Sequence, residues 1–175
     1  MHTKWLRNIN GGLTKRKPAL SRCTTTLPND SKWLDVCKHN AETFRTCSRR
    51  AYFAIILDDK GMTIGTGWNG VPSKQIHCNN GGCPRASDSV SHGSSYDNCN
   101  AIHAEANAII HSDWSARANG DGATLYVNGP PCFTCAKLIA NSGITKVVCS
   151  KDDAYAEWPK IKKFLTQCNI RVFVL

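Results

Sequence analysis

The chain has 175 residues, 41% of them hydrophobic, and a formal charge of +9. That length carries one domain whose core is large enough to stand without disulfide support. No stretch approaches a membrane span and the start lacks the long apolar segment of a secretory signal, so a soluble, cytoplasmic setting is expected.

The charge is concentrated at one end. Lys4, Arg7, Lys15, Arg16, Lys17 and Arg22 place +6 of the +9 within residues 1–29, which contain no acidic residue. A basic arm of this kind binds nucleic acid or polyphosphate, acts as a targeting peptide, or is a solvated extension. Gly11-Gly12, Pro18 and Pro28 interrupt it, so residues 1–30 read as an irregular, flexible extension and residues 31–175 as the folded domain.

From Lys32 to Cys47 the apolar positions Trp33, Leu34, Val36, Cys37, Ala41 and Phe44 recur at helical spacing. Residues 51–57 and 62–68 form two apolar runs around Asp58-Asp59-Lys60-Gly61, the pattern of a β-hairpin. Residues 72–99, rich in Gly, Ser, Asn and Cys, show no periodicity, and a loop of that length in a compact domain is usually functional or held by something other than a core. Then follow a helix at 101–111, a strand at 123–128, a helix at 132–141, a strand at 145–149, a helix at 157–167 and a strand at 170–175. Helices alternating with short apolar strands predict an α/β layered domain, a sheet covered on both faces with right-handed parallel crossovers.

Ten cysteines admit three explanations: a secreted disulfide scaffold, metal binding, or buried free thiols. The missing signal segment argues against the first. Cys37, Cys149 and Cys168 lie in apolar or amphipathic segments and read as core thiols.

The most chemically specific feature is split in two. His103-Ala104-Glu105 lies near the middle of the chain, and Pro131-Cys132-Phe133-Thr134-Cys135 follows about thirty residues later. Zinc takes nitrogen and sulfur ligands tetrahedrally, and a catalytic site leaves one position to a water whose pKa the metal lowers. His103, Cys132 and Cys135 supply three ligands, and Glu105 is the natural proton carrier. Pro131 suits the first turn of a helix, where Cys132 and Cys135 share a face and the positive helix end favours their thiolates. His103 and Glu105, two apart, are expected where a helix begins, with Asn100 as its cap. Each piece has an ordinary explanation alone: a redox pair or half a zinc ribbon for the cysteines, chance for His-x-Glu. Together and in order they match the signature of zinc nucleobase deaminases.

From about Trp33 to Leu175 the chain resembles the deoxycytidylate (dCMP) deaminases, in particular the phage and bacterial forms. The motifs are Cys47-Ser48-Arg49-Arg50, Gly67-Trp68-Asn69-Gly70-Val71-Pro72, His77-Cys78, Gly82-Cys83-Pro84-Arg85, Cys99 with the segment from Ile102 to Ile109, and Thr124-Leu125-Tyr126-Val127 leading to Pro131-Cys132 and Cys135-Ala136-Lys137. The resemblance implies the cytidine-deaminase-like fold, a five-stranded mixed sheet flanked by helices in three layers. It implies zinc on His103, Cys132 and Cys135, hydrolysis of dCMP to dUMP and ammonia with Glu105 moving the protons, a supply of dUMP for thymidylate synthesis, a hexameric assembly, activation by dCTP and inhibition by dTTP. It matches Asn69 to a residue that contacts the nucleotide, although a plain turn uses the same residue types. The Ala104 N–H is expected to hold the pyrimidine carbonyl, and Asn107 either buttresses the site or satisfies a neighbouring loop. Arg49 and Arg50 stand where a phosphate site is plausible, because the guanidinium fork suits phosphate. Some phage relatives hold a second, structural zinc, for which Cys47, Cys78, Cys83 and Cys99 are candidates, with His77 or His92 as substitutes.

The chain departs from the family pattern at Ala51-Tyr52-Phe53-Ala54, where relatives usually have a Lys or similar residue followed by Val-Gly-Ala, and at Trp68, which replaces the usual tyrosine. These positions bear on nucleotide preference and effector response. Two other classes compete. A deaminase of tRNA adenosine or single-stranded cytosine would use the basic arm, but Ala136-Lys137-Leu138 departs from the tRNA-enzyme pattern, and nucleic acid is not the expected partner. A non-catalytic zinc scaffold would not require Glu105.

Overall fold

The computed structural model describes residues 29–85, 98–118 and 120–175, together with the backbone of 5–7 and 13–15. Within the N-terminal arm, β1 (Trp5–Arg7) and β2 (Leu13–Lys15) pair antiparallel, where the sequence reads as irregular. The remainder of the predicted extension lies outside the described residues.

The first helix, α1 (Asp30–Thr43), begins earlier and ends earlier than its periodicity predicts. Its first residue explains the start. Asp30 is fully buried and accepts from Lys146 Nζ at 2.9 and 2.8 Å and from the Tyr126 hydroxyl at 2.6 Å, which pins the helix to the sheet. At the other end Phe44 leaves helical geometry to stack on Phe53 and Trp68, ring centroids 5.9 and 5.1 Å away.

The hairpin forms as predicted from β3 (Phe53–Leu57) and β4 (Thr63–Trp68). With β5 (Ala123–Val127), β6 (Ile144–Cys149) and β7 (Arg171–Val174) they build a five-stranded mixed sheet in the order β4-β3-β5-β6-β7. The β3 pairings are antiparallel, while β5, β6 and β7 run parallel. The period-two alternation of side chains divides the core. Phe53, Ile55, Leu57, Tyr126 and Val148 pack on Leu34, Cys37 and Ala41 of α1. Ala54, Ile56, Leu125, Val127 and Val147 pack on the other face against α2 (Ala104–Ile110), α4 (Phe133–Ala140) and α5 (Trp158–Gln167). Fully buried Ile56, Leu125, Ile139, Ile161 and Leu165 each contribute about 1.5–3 kcal/mol of transfer free energy.

A short helix that periodicity does not reveal, α3 (Trp114–Ala118), follows α2. Cys37 and Cys149 are buried core thiols as expected, but Cys168, the residue that follows the last turn of α5, is exposed.

Candidate active site

Three segments bring the split motif together. The parallel strand β5 ends at Val127 and its chain continues through Asn128 to Cys132, the position beyond a carboxyl strand end where α/β folds place ligands. Asn128 holds that loop: its side chain accepts from Phe53 N–H at 2.7 Å and donates to the Ala51 carbonyl at 2.9 Å. Opposite, Gly70 and Ile102 exchange backbone hydrogen bonds of 3.1 and 2.9 Å, so the chain arrives at His103 alongside the end of β4.

His103 is the residue preceding α2 and itself stands at the cap position in extended conformation; Asn100 is not the cap. The helix starts later than predicted because residues 101–103 continue the extended bridge to Gly70. Likewise Cys132, not Pro131, marks the beginning of α4, and its sulfur accepts the Cys135 N–H at 3.5 Å. Two helix N-termini therefore converge. The Cys132 and Cys135 sulfurs lie 3.3 and 3.5 Å from His103 Nδ1. Among the described residues this is the metal-ligating group whose donor atoms all lie within 4.8 Å of one another. Tetrahedral zinc with ordinary Zn–S and Zn–N bonds separates sulfur and nitrogen by about 3.6 Å, so the donor set fits zinc in both chemistry and spacing.

The electrostatics follow from this crowding. A hydrogen bond from Cys135 lowers the Cys132 thiol to about 4 against burial, with His103 adding to the effect. Burial works against the charged imidazole of His103, but the hydrogen bond to Cys132 and the charge of Glu105 outweigh it and raise it to about 9. Cys135 is pushed up by its hydrogen bond to Cys132 and by burial, so this thiol keeps its proton when Cys132 is ionised. Burial likewise pushes the Glu105 carboxyl up, opposed by the His103 charge. A carboxyl of raised pKa at such a centre is suited to taking and returning protons.

The centre opens into a cavity of about 710 Å³ whose wall includes His103, Ala104, Glu105, Cys132, Asn69, Tyr52, Arg49, Arg50 and Arg85. Ala104 is buried and supplies the first amide of α2, which has no intrahelical acceptor. Asn69 is mostly committed to the fold: it accepts from Tyr52 N–H at 2.8 Å and donates to the Arg50 carbonyl at 2.9 Å, leaving one N–H and one lone pair for a ligand. Asn107 does not reach the cavity wall and donates to the Trp68 carbonyl at 2.7 Å, which makes it the buttress of β4 against α2. Arg50 lies at the junction of this cavity with a second groove, and Arg49 donates to the Arg85 carbonyl at 3.1 Å. Of the two departures from the family pattern, Trp68 stacks on the α1 face and stays out of the cavity wall, whereas Tyr52 enters it.

Arg85 is the cavity residue that sequence reasoning left without a role. It is 7% exposed and lines the same wall as Arg49 and Arg50. Its place in the Gly82-Cys83-Pro84-Arg85 motif was the available signal.

The second cysteine group also converges. Asn79 N–H bonds to the Thr46 carbonyl at 3.2 Å and its side chain to the Arg45 carbonyl at 3.0 Å, which docks the short 3₁₀ turn Cys78–Asn80 beside Cys47. Burial pushes the Cys78 thiol up to about 12, reinforced by Cys83, Cys47 and Cys99 around it. All four cysteines line the cavity, at a wider spacing than the His103 group. His77 is exposed and precedes the 3₁₀ turn, and His92 lies outside the described residues.

A family model described as the cytidine and deoxycytidylate deaminase zinc-binding region matches residues 27–151. The chain belongs to this family. Its relatives include the deoxycytidylate deaminase of Mycobacterium phage D29, 41% identical over 111 residues, covering 61% of this chain and 82% of that protein. The Schizosaccharomyces pombe deoxycytidylate deaminase is 34% identical over 119 residues, 68% of this chain but only 36% of its own length. Among solved structures, the dCMP deaminase of cyanophage S-TIM5 in complex with dCMP and dUMP superposes with a TM-score of 0.63 at 22% identity, over 86% of this chain and all of that one. The expected fold is thereby established as that of the family. Among the described residues no helix is long and apolar enough to cross a membrane.

Proposed function

We propose that this protein hydrolyses dCMP to dUMP and ammonia. The observation that carries the reading is a zinc-fitting His103, Cys132, Cys135 group beside buried Glu105, at one end of a cavity whose wall also holds three arginines. Zinc, when bound by those three residues, supplies an acidified water as nucleophile for carbon 4 of the cytosine. Glu105 takes the first proton of the water and delivers it to ring nitrogen 3, then takes the proton of the hydroxyl added at carbon 4 and passes it to the amine, which leaves as ammonia as the carbonyl forms. The Ala104 N–H holds the pyrimidine carbonyl, and Asn69 uses its remaining N–H on the sugar. Arg50 and Arg85, with Arg49 behind them, receive the phosphate and set nucleotide above nucleoside. The 41% identity to a phage deoxycytidylate deaminase over most of that protein's length supports the same substrate.

The finer features of the reading come from the family resemblance. They are a role in supplying dUMP, activation by dCTP and inhibition by dTTP, a homo-oligomeric and specifically hexameric assembly, and a structural zinc on Cys47, Cys78, Cys83 and Cys99. The approach of Cys83, Cys47 and Cys99 to Cys78 at one cavity wall supports the last. Elemental analysis of purified protein is expected to return two zinc ions per chain; one removes the second site. The substrate test is incubation with deoxycytidine, dCMP, CMP, dCTP, single-stranded DNA and tRNA, with Glu105→Gln as control. Turnover confined to dCMP is expected, and turnover of nucleic acid but not dCMP overturns the reading. A dCMP rate indifferent to both dCTP and dTTP would remove the regulatory part alone.

A further inference from the structure

The zinc-fitting residues sit at the N-termini of two short helices, α2 and α4, of seven and eight residues. At 1.5 Å per residue each is a rod only about 10–12 Å long. A displacement of its C-terminal end is therefore passed to the ligand end with little room to relax. What holds the C-terminal ends decides how well the ligands are placed.

One side chain holds both. Arg117 of α3 is 5% exposed. Its Nε donates to the Ser142 carbonyl at 2.8 Å, just past the end of α4, where Ser142 also bonds back to Ile139. Its Nη1 donates to the Ile109 carbonyl at 3.0 Å, to the Ser112 carbonyl at 2.7 Å, and to the Ser112 hydroxyl, all at the end of α2. The Trp114 ring covers the guanidinium from outside, 5.6 Å from centroid to Cζ. A cation at two helix C-termini is favourable for both dipoles, and the fixed planar fork sets the distance between them.

We infer that Arg117 is a positioning residue for the metal centre: it ties the C-terminal ends of α2 and α4 together and so sets the spacing of His103 from Cys132 and Cys135 at the opposite ends. This rests on the proposed reading of those three residues as zinc ligands. Nothing about Arg117 itself touches the substrate cavity, so its effect is on the geometry of the ligands and not on substrate binding.

The test uses Arg117→Lys, whose ammonium satisfies one helix end but lacks the fork that spans both. The control is Lys146→Met, which unpins α1 on the opposite face of the sheet. Zinc affinity is read by competition with a chromophoric chelator, ligand geometry by the visible spectrum of the cobalt(II)-substituted protein, and stability by thermal melting. Arg117→Lys is expected to weaken zinc about tenfold, as loss of a group that orients metal ligands does, and to alter the cobalt spectrum. With dCMP, kcat should fall while KM stays within about twofold, because no substrate contact is lost. Lys146→Met should melt at least as early yet keep wild-type zinc affinity and cobalt spectrum. Wild-type affinity and spectrum in Arg117→Lys, or equal losses in the two variants, would overturn the inference. The metal readouts need no substrate, so a wild-type protein that binds zinc but ignores dCMP defeats the substrate reading and leaves this test decisive.

Discussion

Replacing Gly67 by alanine puts the seating of α2 to a direct test. Gly67 lies in β4 with its Cα against the helix that carries Glu105 and follows His103. A Cβ built there would stand 2.3 Å from the Ala108 nitrogen, 2.5 Å from the Ala104 oxygen and 2.8 Å from Asn107 Cβ. The first two are backbone atoms, so no rotamer change relieves them, and ordinary van der Waals contact requires α2 to retreat by roughly 1 Å. Overpacking of this kind costs about 1–3 kcal/mol, which for a domain of this size lowers Tm by roughly 2–12 °C. The catalytic cost should be larger. Ala104 is itself one of the clashing residues, and a displacement of about 1 Å at reacting groups costs on the order of a hundredfold in rate. The assay is the loss of dCMP absorbance on deamination, alongside zinc content and a thermal melt, with Thr66→Ala on the exposed side of the same strand as control. A Gly67→Ala protein with wild-type kcat and Tm would refute the claim that this glycine seats the helix.

Glu105→Gln should retain zinc, because the ligands are untouched, while kcat falls by about 10²–10⁴ through loss of proton transfer; metal analysis and steady-state rates check both halves. Lys146→Met removes the salt bridge of fully buried Asp30, whose carboxylate also accepts from the Tyr126 hydroxyl, and should destabilise the protein by about 3–5 kcal/mol in a denaturant melt. Thiol labelling at pH 8 should modify exposed Cys168 rapidly and leave Cys37 and Cys149 untouched, because burial raises both of the latter to about 12 and keeps them protonated; early labelling of either contradicts the core assignment. The same two thiols have an ordinary value of 9.0, so each contributes stability that is fully present below that pH and lost as the pH climbs toward 12, an effect that melts across this window would reveal.

Much of the architecture was legible because it is written in local periodicity. The hairpin of β3 and β4, the alternation of helices with apolar strands and the two-sided sheet follow from spacings of two and of three to four, which any chain must obey to bury one face. Helix ends were less legible. Asp30 looks like an ordinary polar residue before an amphipathic run, and only its pairing with Lys146, 116 residues away, explains why α1 begins there. Asn100 looks like a cap, yet the bridge between Gly70 and Ile102 keeps the chain extended up to His103. In both cases a distant partner outweighs local preference.

The candidate site divides in the same way. The identities of His103, Glu105, Cys132 and Cys135, and the chemistry those types support, were determined by the sequence alone, since ligand type and short spacing are covalent facts. Tertiary structure decided which further residues share the cavity. It turned Asn107 away to hold β4, committed most of Asn69 to the backbone at Arg50 and Tyr52, put Trp68 on the far face, and brought buried Arg85 into the wall. It also revealed Arg117, which has no motif to announce it. Its role depends on two helix ends meeting in space, and side-chain hydrogen bonds across such separations leave no periodic trace in the chain.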